Sequence, residues 1–242
     1  MNGFSAFTWV AIFAIESAIV NGIGIIAIFK NRKWAEGVKT YSLCFAAGVL
    51  ISVPLMLAFP QAVEKNFYAG FSALIGFLFM FLGNRLIRYK IQRKDLAFGI
   101  TAVEGIGIHS FVDGIIYSVT FSASVPTGLL GGTGMVLHEF AEGVITFSLL
   151  MTGGIKKERA AFYAFLIAGL STPVGAFIAY PFVSKLSTPI LGLALGFVSG
   201  VLIYVSASHL LPEALKDEKQ YSTWVFLAGI ALALFIVLAE IV

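Results

Sequence analysis

The chain has 242 residues, of which 59% are hydrophobic and 12% are charged, and its formal net charge is +3. Because a soluble domain is typically about 25% charged, this composition excludes an ordinary soluble enzyme or binding module. The apolar residues form runs of about twenty, the length that a helix needs to cross a hydrocarbon core of about 30 Å. The first run has no basic segment or cleavage site near Met1, so we expect a retained helix and not a signal peptide.

Hydropathy predicts eight transmembrane helices joined by short connections that leave no room for a soluble domain. The predicted fold class is therefore an all-α integral membrane protein with a single transmembrane domain over residues 1–242. The predicted spans are residues 6–29, 39–62, 68–88, 97–121, 128–151, 160–182, 189–212 and 222–242.

Basic residues are concentrated in every second loop. The opposite loops carry only Lys65 and Lys185. Since cytoplasmic loops carry the excess of Lys and Arg, both termini are predicted to lie outside and the basic loops in the cytoplasm of a plasma-membrane protein. The same distribution explains the positive charge without a nucleic-acid partner. The basic residues are Lys30, Arg32, Lys33 and Lys39; Arg85, Arg88, Lys90, Arg93 and Lys94; Lys156, Lys157 and Arg159; and Lys216 and Lys219.

An internal repeat is visible between "CFAAGVLISVPLMLAFPQA" (44–62) and "GFVSGVLIYVSASHLLPEA" (196–214), which align at one constant offset. Matching positions include glycines and prolines as well as aliphatic residues. The predicted topology runs the two segments in opposite directions, which is typical of an inverted repeat around a midplane site. We expect helices 1–3 (residues 1–90) to mirror helices 6–8 (160–242) and to flank helices 4–5 (97–151). Chance similarity of two apolar helices is the alternative.

Two related motifs lie in the central pair of helices: "HSFVDG" begins at His109 and "HEFAEG" at His138. At about 1.5 Å per residue, both histidines are expected roughly 15–20 Å deep, near the midplane. Residues four apart share one face of a helix, so His109 and Asp113 can point to one place, as can His138 and Glu142.

Two imidazoles and two carboxylates form a ligand set that suits Zn²⁺, Fe²⁺, Mn²⁺, Co²⁺ or Cd²⁺ better than Ca²⁺ or K⁺. Ser110 and Glu139 could supply a second or bridging position. Gly114 and Gly143 are expected to let the two motif helices approach each other closely. A divalent ion or a proton would offset the cost of carboxylates in the bilayer. The alternative to a metal or proton site is that the histidines are structural and form ordinary hydrogen bonds within the protein.

A third histidine, His209, precedes Glu213 by the same spacing near the inner end of helix 7. The pair is a candidate inner exit relay, and an interfacial position for Glu213 is the alternative. Glu16, Glu104 and Glu240 also lie within or near spans, and the sequence assigns them no role.

The paired motifs in an eight-span chain resemble those of the ZIP family of divalent-metal transporters. The resemblance covers the whole chain and implies outside termini, inverted three-helix repeats and a metal site at the transport midpoint. It implies His109, Asp113, His138 and Glu142 as primary metal ligands, with Ser110 and Glu139 at a secondary position.

This chain departs from the common pattern of that family at three site positions. Asp113 replaces the more usual Glu, Ser110 replaces Asn, and Thr172 stands where many relatives have Glu on helix 6. We therefore expect one strong metal position and at best a weak second one.

The resulting hypothesis is uptake of a divalent metal, Zn²⁺ first, with Fe²⁺, Mn²⁺, Cd²⁺ and Co²⁺ left open. Helices 4 and 5 would move against the repeats so that the site faces one side at a time. The metal is the substrate and no prosthetic group is expected; the partners are metal ions and the bilayer, with a homodimer left open. The rivals are an ion channel and an intramembrane metalloprotease, since "HEFAE" begins like H-E-x-x-H but ends in Glu142.

Overall fold

A computed structural model describes residues 4–91 and 98–241. Over these ranges the chain forms eight helices, and seven are long and apolar enough to cross a membrane, with a shorter apolar stretch (Ser222–Leu238) in the eighth. The all-α, multi-pass membrane fold is therefore confirmed. The helices are α1 (Ala6–Lys30), α2 (Arg32–Lys65), α3 (Ala69–Ile91), α4 (Phe98–Ala123), α5 (Val125–Thr152), α6 (Lys157–Val183), α7 (Thr188–Lys216) and α8 (Ser222–Ile241).

The predicted helix limits differ from the observed ones mainly at α2, which begins at Arg32 and not at residue 39. Asn31 is the only residue between α1 and α2, and it caps the N-terminus of α2. Its side-chain oxygen accepts a hydrogen bond from the Trp34 amide at 3.2 Å. The predicted limits at residues 97 and 242, and the basic residues Arg93 and Lys94, lie outside the described residues.

Three helices contain a wide, π-helical turn: Pro54–Ala58 in α2, Phe165–Gly169 in α6 and Ser206–Leu210 in α7. The turns in α2 and α7 stand just before Pro60 and Pro212. A proline has no N–H to donate to the carbonyl four residues earlier, and its ring crowds that carbonyl. A wider turn moves the carbonyl away from the ring and lets it accept from a later N–H. These two turns occupy aligned positions of the repeated segments, and the inverted repeat itself stays a prediction.

Helices α1 and α5 are packed backbone to backbone through glycines on both sides. A Cβ atom on Gly143 of α5 would overlap the carbonyl oxygen of Asn21. In return, a Cβ on Gly24 of α1 would overlap the carbonyl oxygen of Phe140. Neither helix can therefore carry a side chain at its contact position without separating from the other.

Helices α4 and α6 make the same reciprocal contact. A Cβ on Gly114 would overlap the Thr172 carbonyl oxygen, and one on Gly175 would overlap the Phe111 carbonyl oxygen. The expectation that Gly114 and Gly143 bring α4 and α5 together is therefore wrong. Each motif glycine faces a different neighbour, α6 for Gly114 and α1 for Gly143.

The remaining helices pair in the same way, α2 with α8 and α3 with α7. The glycines at these contacts are Gly48 and Gly229 in the first pair, and Gly76 and Gly200 in the second. The glycine contacts thus define four helix pairs. We call α1, α4, α5 and α6 the site bundle, because they surround the motif side chains, and α2, α3, α7 and α8 the flanking bundle. Between them, Gly134 of α5 meets the side chain of Leu50 of α2, where a Cβ would lie 2.8 Å from its atoms.

Candidate metal site

Four motif side chains converge between α4 and α5. One ligand atom from each of His109, Asp113, His138 and Glu142 lies within 4.8 Å of the other three. Between the helices, His138 Nε2 is 3.3 Å from Asp113 Oδ2, and His109 Nε2 is 3.4 Å from Glu142 Oε1. Along each helix, the His–acid distances are 3.6 Å for His109–Asp113 and 3.7 Å for His138–Glu142.

These distances match the spacing of ligands around one small cation. A zinc ion bound at 2.0–2.1 Å holds neighbouring ligand atoms about 3 Å apart, close to the four His–acid distances here. His109 Nε2, Asp113 Oδ2 and His138 Nε2 have no hydrogen-bond partner among the described residues. Since buried polar atoms almost always have a partner, unpaired atoms that converge on one point indicate a ligand that binds them together.

The charge of the site also fits a divalent ion. Asp113 is 2% exposed and Glu142 is 7% exposed, so both carboxylates lie away from water. With neutral imidazoles the cluster carries two negative charges, and burying such a pair without a counter-ion is costly. A divalent cation would neutralise both carboxylates at once.

Ser110 contacts the cluster through the carboxylate of Glu142. Its hydroxyl is 2.9 Å from Glu142 Oε2 and 3.0 Å from the Ile106 carbonyl oxygen. The Glu142 oxygen that Ser110 contacts is the one that faces away from the histidines. Ser110 is therefore placed to orient the carboxylate of Glu142.

Glu139 is buried on the other side of α5, facing α1 and α6. Its Oε2 accepts a hydrogen bond from Asn21 Nδ2 at 2.9 Å, and its Oε1 accepts one from Thr172 Oγ1 at 2.7 Å. Both oxygens are thus occupied by neutral donors, and the side chain is only 1% exposed. The structure does not bring Glu139 into the group of four.

Sequence reasoning missed Asn21 and a second buried contact in the same bundle. The hydroxyls of Ser17 and Tyr117 lie 2.6 Å apart and join α1 to α4. The available signal was a polar side chain in the middle of an apolar helix, since such residues are costly unless they have partners. Together with Glu139, these contacts join all four helices of the site bundle.

The candidate exit residues lie in line with the cluster. A cavity of about 300 Å³ is lined by His109 and Glu142 and extends to His209 and Glu213. The rings of His109 and His209 are 5.9 Å apart, and Glu213 Oε2 accepts a hydrogen bond from Lys216 Nζ at 2.6 Å. The cavity therefore leads from the cluster toward the end of the molecule that carries the basic loops.

Aromatic packing fills the other end of the site bundle. The Phe121 ring stacks on Trp9 at 6.2 Å and lies 5.1 Å from Phe13, which in turn lies 6.1 Å from Tyr117. All four rings lie toward the start of α1 and the end of α4. The cavity that contains His209 and Glu213 and this aromatic packing therefore lie toward opposite ends of the site bundle.

Of the three acids without a predicted role, the structure describes the side chain of Glu16 alone. Glu16 has an exposed side chain on α1. The side chains of Glu104 and Glu240 lie outside the described residues.

Comparison with known proteins connects this site to a family. The sequence model of the family described as "ZIP Zinc transporter" matches residues 95–237. "Zinc transporter ZupT" of Clostridium perfringens is 26% identical over 275 residues, covering 93% of this chain and 95% of that protein. "Zinc transporter ZupT" of Chlorobium luteolum is 26% identical over 244 residues, covering 88% and 90%. "Zinc transporter ZIP9" of Xenopus tropicalis is 28% identical over 160 residues, covering 60% and 52%. Because the family match spans more than half of the chain and includes both motif helices, this protein belongs to the ZIP zinc transporter family.

Proposed function

We propose that the protein carries divalent transition-metal cations, Zn²⁺ first, across a membrane through the four-residue cluster. The observation that carries this proposal is the convergence of nitrogen and oxygen ligand atoms from two histidines and two carboxylates within 4.8 Å of one another. The names of the relatives support zinc. The same ligands also bind Fe²⁺, Mn²⁺, Co²⁺ and Cd²⁺, so competition among metals decides the preference.

We infer that transport is uptake into the cytoplasm, with both termini outside and the protein in the plasma membrane. With the basic loops inside, the cavity that contains His209 and Glu213 is the release path. The aromatic packing around Phe121 then closes the outer side. Impermeant labelling of a tag at either terminus of intact cells tests this orientation; a tag that is labelled only after the membrane is permeabilised would reverse it.

The moving part is proposed to be the whole site bundle, and not α4 and α5 alone as the sequence suggested. Sliding α4 past α6, or α5 past α1, would separate glycine contacts at which backbones touch. The site and flanking bundles instead meet through side chains such as Leu50, which can exchange neighbours at lower cost. Alternating access then needs one rigid four-helix body to shift against the other.

Purified protein in liposomes that contain a zinc-sensitive dye tests the function. We expect zinc influx that saturates with zinc concentration and is inhibited by competing divalent metals. An ion channel is the alternative, and its flux would be fast and remain proportional to zinc concentration. Absence of zinc-dependent fluorescence in liposomes of either protein orientation would contradict metal transport.

Ser110→Ala is expected to weaken zinc binding by about 10–100-fold, the usual effect of removing a group that orients a metal ligand. The Glu142 carboxylate would lose the hydroxyl that holds its second oxygen. Ser118→Ala is the matched control, because Ser118 is a buried serine of α4 whose hydroxyl contacts only backbone carbonyls of Gly114 and Ala176. Calorimetric titration in detergent measures both variants, and equal losses would contradict the assigned role of Ser110.

Wild-type protein is expected to bind one zinc ion per chain at high affinity, and Glu139→Gln is expected to bind the same number. Asn21 and Thr172 already occupy both oxygens of Glu139, so a second ion would have to displace two hydrogen bonds. Metal analysis after gel filtration measures the ratio. Two ions in the wild type and one in Glu139→Gln would instead identify Glu139 as a ligand.

A further inference from the structure

A second cavity shares no lining residue with the metal cluster, and we propose that it binds the headgroup of an anionic phospholipid. The cavity has a volume of about 560 Å³ and lies between the inner ends of α1 and α5 and the start of α6. Three basic side chains line it: Lys30, Arg32 and Lys157.

Three basic side chains line the cavity and, among the described residues, no acidic side chain does, so its lining carries a net positive charge. Arg32 donates through its Nε to Glu36 Oε1 at 2.8 Å, which offsets part of this charge and leaves its two terminal nitrogens as further donors. The Lys157 ammonium group lies 4.0 Å from the centre of the Phe29 ring, and this cation–π contact holds the positive charge at the wall of the cavity. A guanidinium fork and two ammonium groups are suited to a phosphate group.

The other lining residues favour a lipid over a soluble anion. Ile28, Phe29, Phe147 and Met151 provide an apolar wall at the ends of membrane helices. Such a wall suits the first carbons of acyl chains, while the basic residues meet the phosphate at the water boundary.

The neutral polar groups of the cavity add little selectivity. The hydroxyls of Ser148 and Thr152 donate to backbone carbonyls of their own helix, at 2.7 Å and 2.9 Å. Recognition therefore depends on negative charge and not on a particular sugar or amine. Basic pockets between helices on the cytoplasmic side are typical sites for such headgroups, and the orientation proposed above places this cavity in that leaflet.

The experiment measures lipid retention on the intact protein. The protein is placed in nanodiscs that contain phosphatidylglycerol and phosphatidylcholine with identical acyl chains. Native mass spectrometry of the released protein then identifies the lipids that remain bound to it. We expect retained phosphatidylglycerol, and at least a tenfold loss of it in Lys30→Gln/Arg32→Gln/Lys157→Gln. The matched control removes the same charge from the same two loops outside the cavity: Lys33→Gln/Lys156→Gln/Arg159→Gln.

Three results would overturn the proposal. Equal retention of both lipids would show no preference for charge. An equal loss in the control variant would assign the effect to general surface charge. Retention of inorganic phosphate in detergent, with no lipid retained from nanodiscs, would make the cavity a site for soluble anions. Zinc influx in liposomes, measured separately, keeps a failure of lipid binding distinct from a failure of transport.

Discussion

Asp113→Asn is expected to abolish zinc uptake and to weaken zinc binding by more than about 100-fold. Changes in groups that only orient ligands already cost about 10–100-fold, and Asp113 supplies both a ligand atom and half of the negative charge. Its Oδ2 lies 3.3 Å from His138 Nε2 and 3.6 Å from His109 Nε2, so it can share one ion with both imidazoles.

Loss of function in this variant can be separated from misfolding. Removal of one of two facing carboxylates reduces repulsion, so the metal-free variant is expected to melt at a temperature no lower than the wild type. Zinc should raise the melting temperature of the wild type but not of Asp113→Asn, because a ligand stabilises only a protein that binds it. Asp217→Asn, at an exposed carboxylate 3.4 Å from Lys39 Nζ, is the control and should transport normally. Wild-type influx in Asp113→Asn would remove this residue from the site.

The second large effect is expected from Gly114→Ala, a change of one methyl group. The new Cβ would overlap the Thr172 carbonyl oxygen and the Ala176 amide nitrogen, so α4 and α6 must separate. Overpacking a side chain typically costs about 1–3 kcal/mol, and backbone atoms cannot rotate away as side chains do, so at least about 3 kcal/mol is expected. Separation also displaces Thr172 from Glu139.

Gly83→Ala provides the matched control on α3. A Cβ at Gly83 meets no atom within 4 Å, and alanine is favoured over glycine in a helix by about 1 kcal/mol. Denaturant unfolding in detergent should show a large loss for Gly114→Ala and no loss for Gly83→Ala. Equal stability of the two variants would mean that α4 and α6 do not depend on this backbone contact.

Features that depend on residues close together in the chain were predictable. Apolar runs of membrane-spanning length identify helices without any knowledge of their neighbours. The spacing of His109 from Asp113, and of His138 from Glu142, places each pair on one helix face by geometry alone. Equal depth in adjacent helices then predicted their meeting, and the structure brings those four side chains together.

Only the tertiary structure decided which helices pair and which polar groups meet. The partners of Gly114 and Gly143 lie on α6 and α1, and nothing in the spacing of either motif distinguishes those helices from each other. Asn21 and Thr172 reach Glu139 from distant parts of the chain, so its two hydrogen bonds leave no local pattern. Local periodicity determined the faces of the helices and the four converging side chains. The packing of backbones at glycines determined which face meets which, because that choice depends on contacts between residues far apart in sequence.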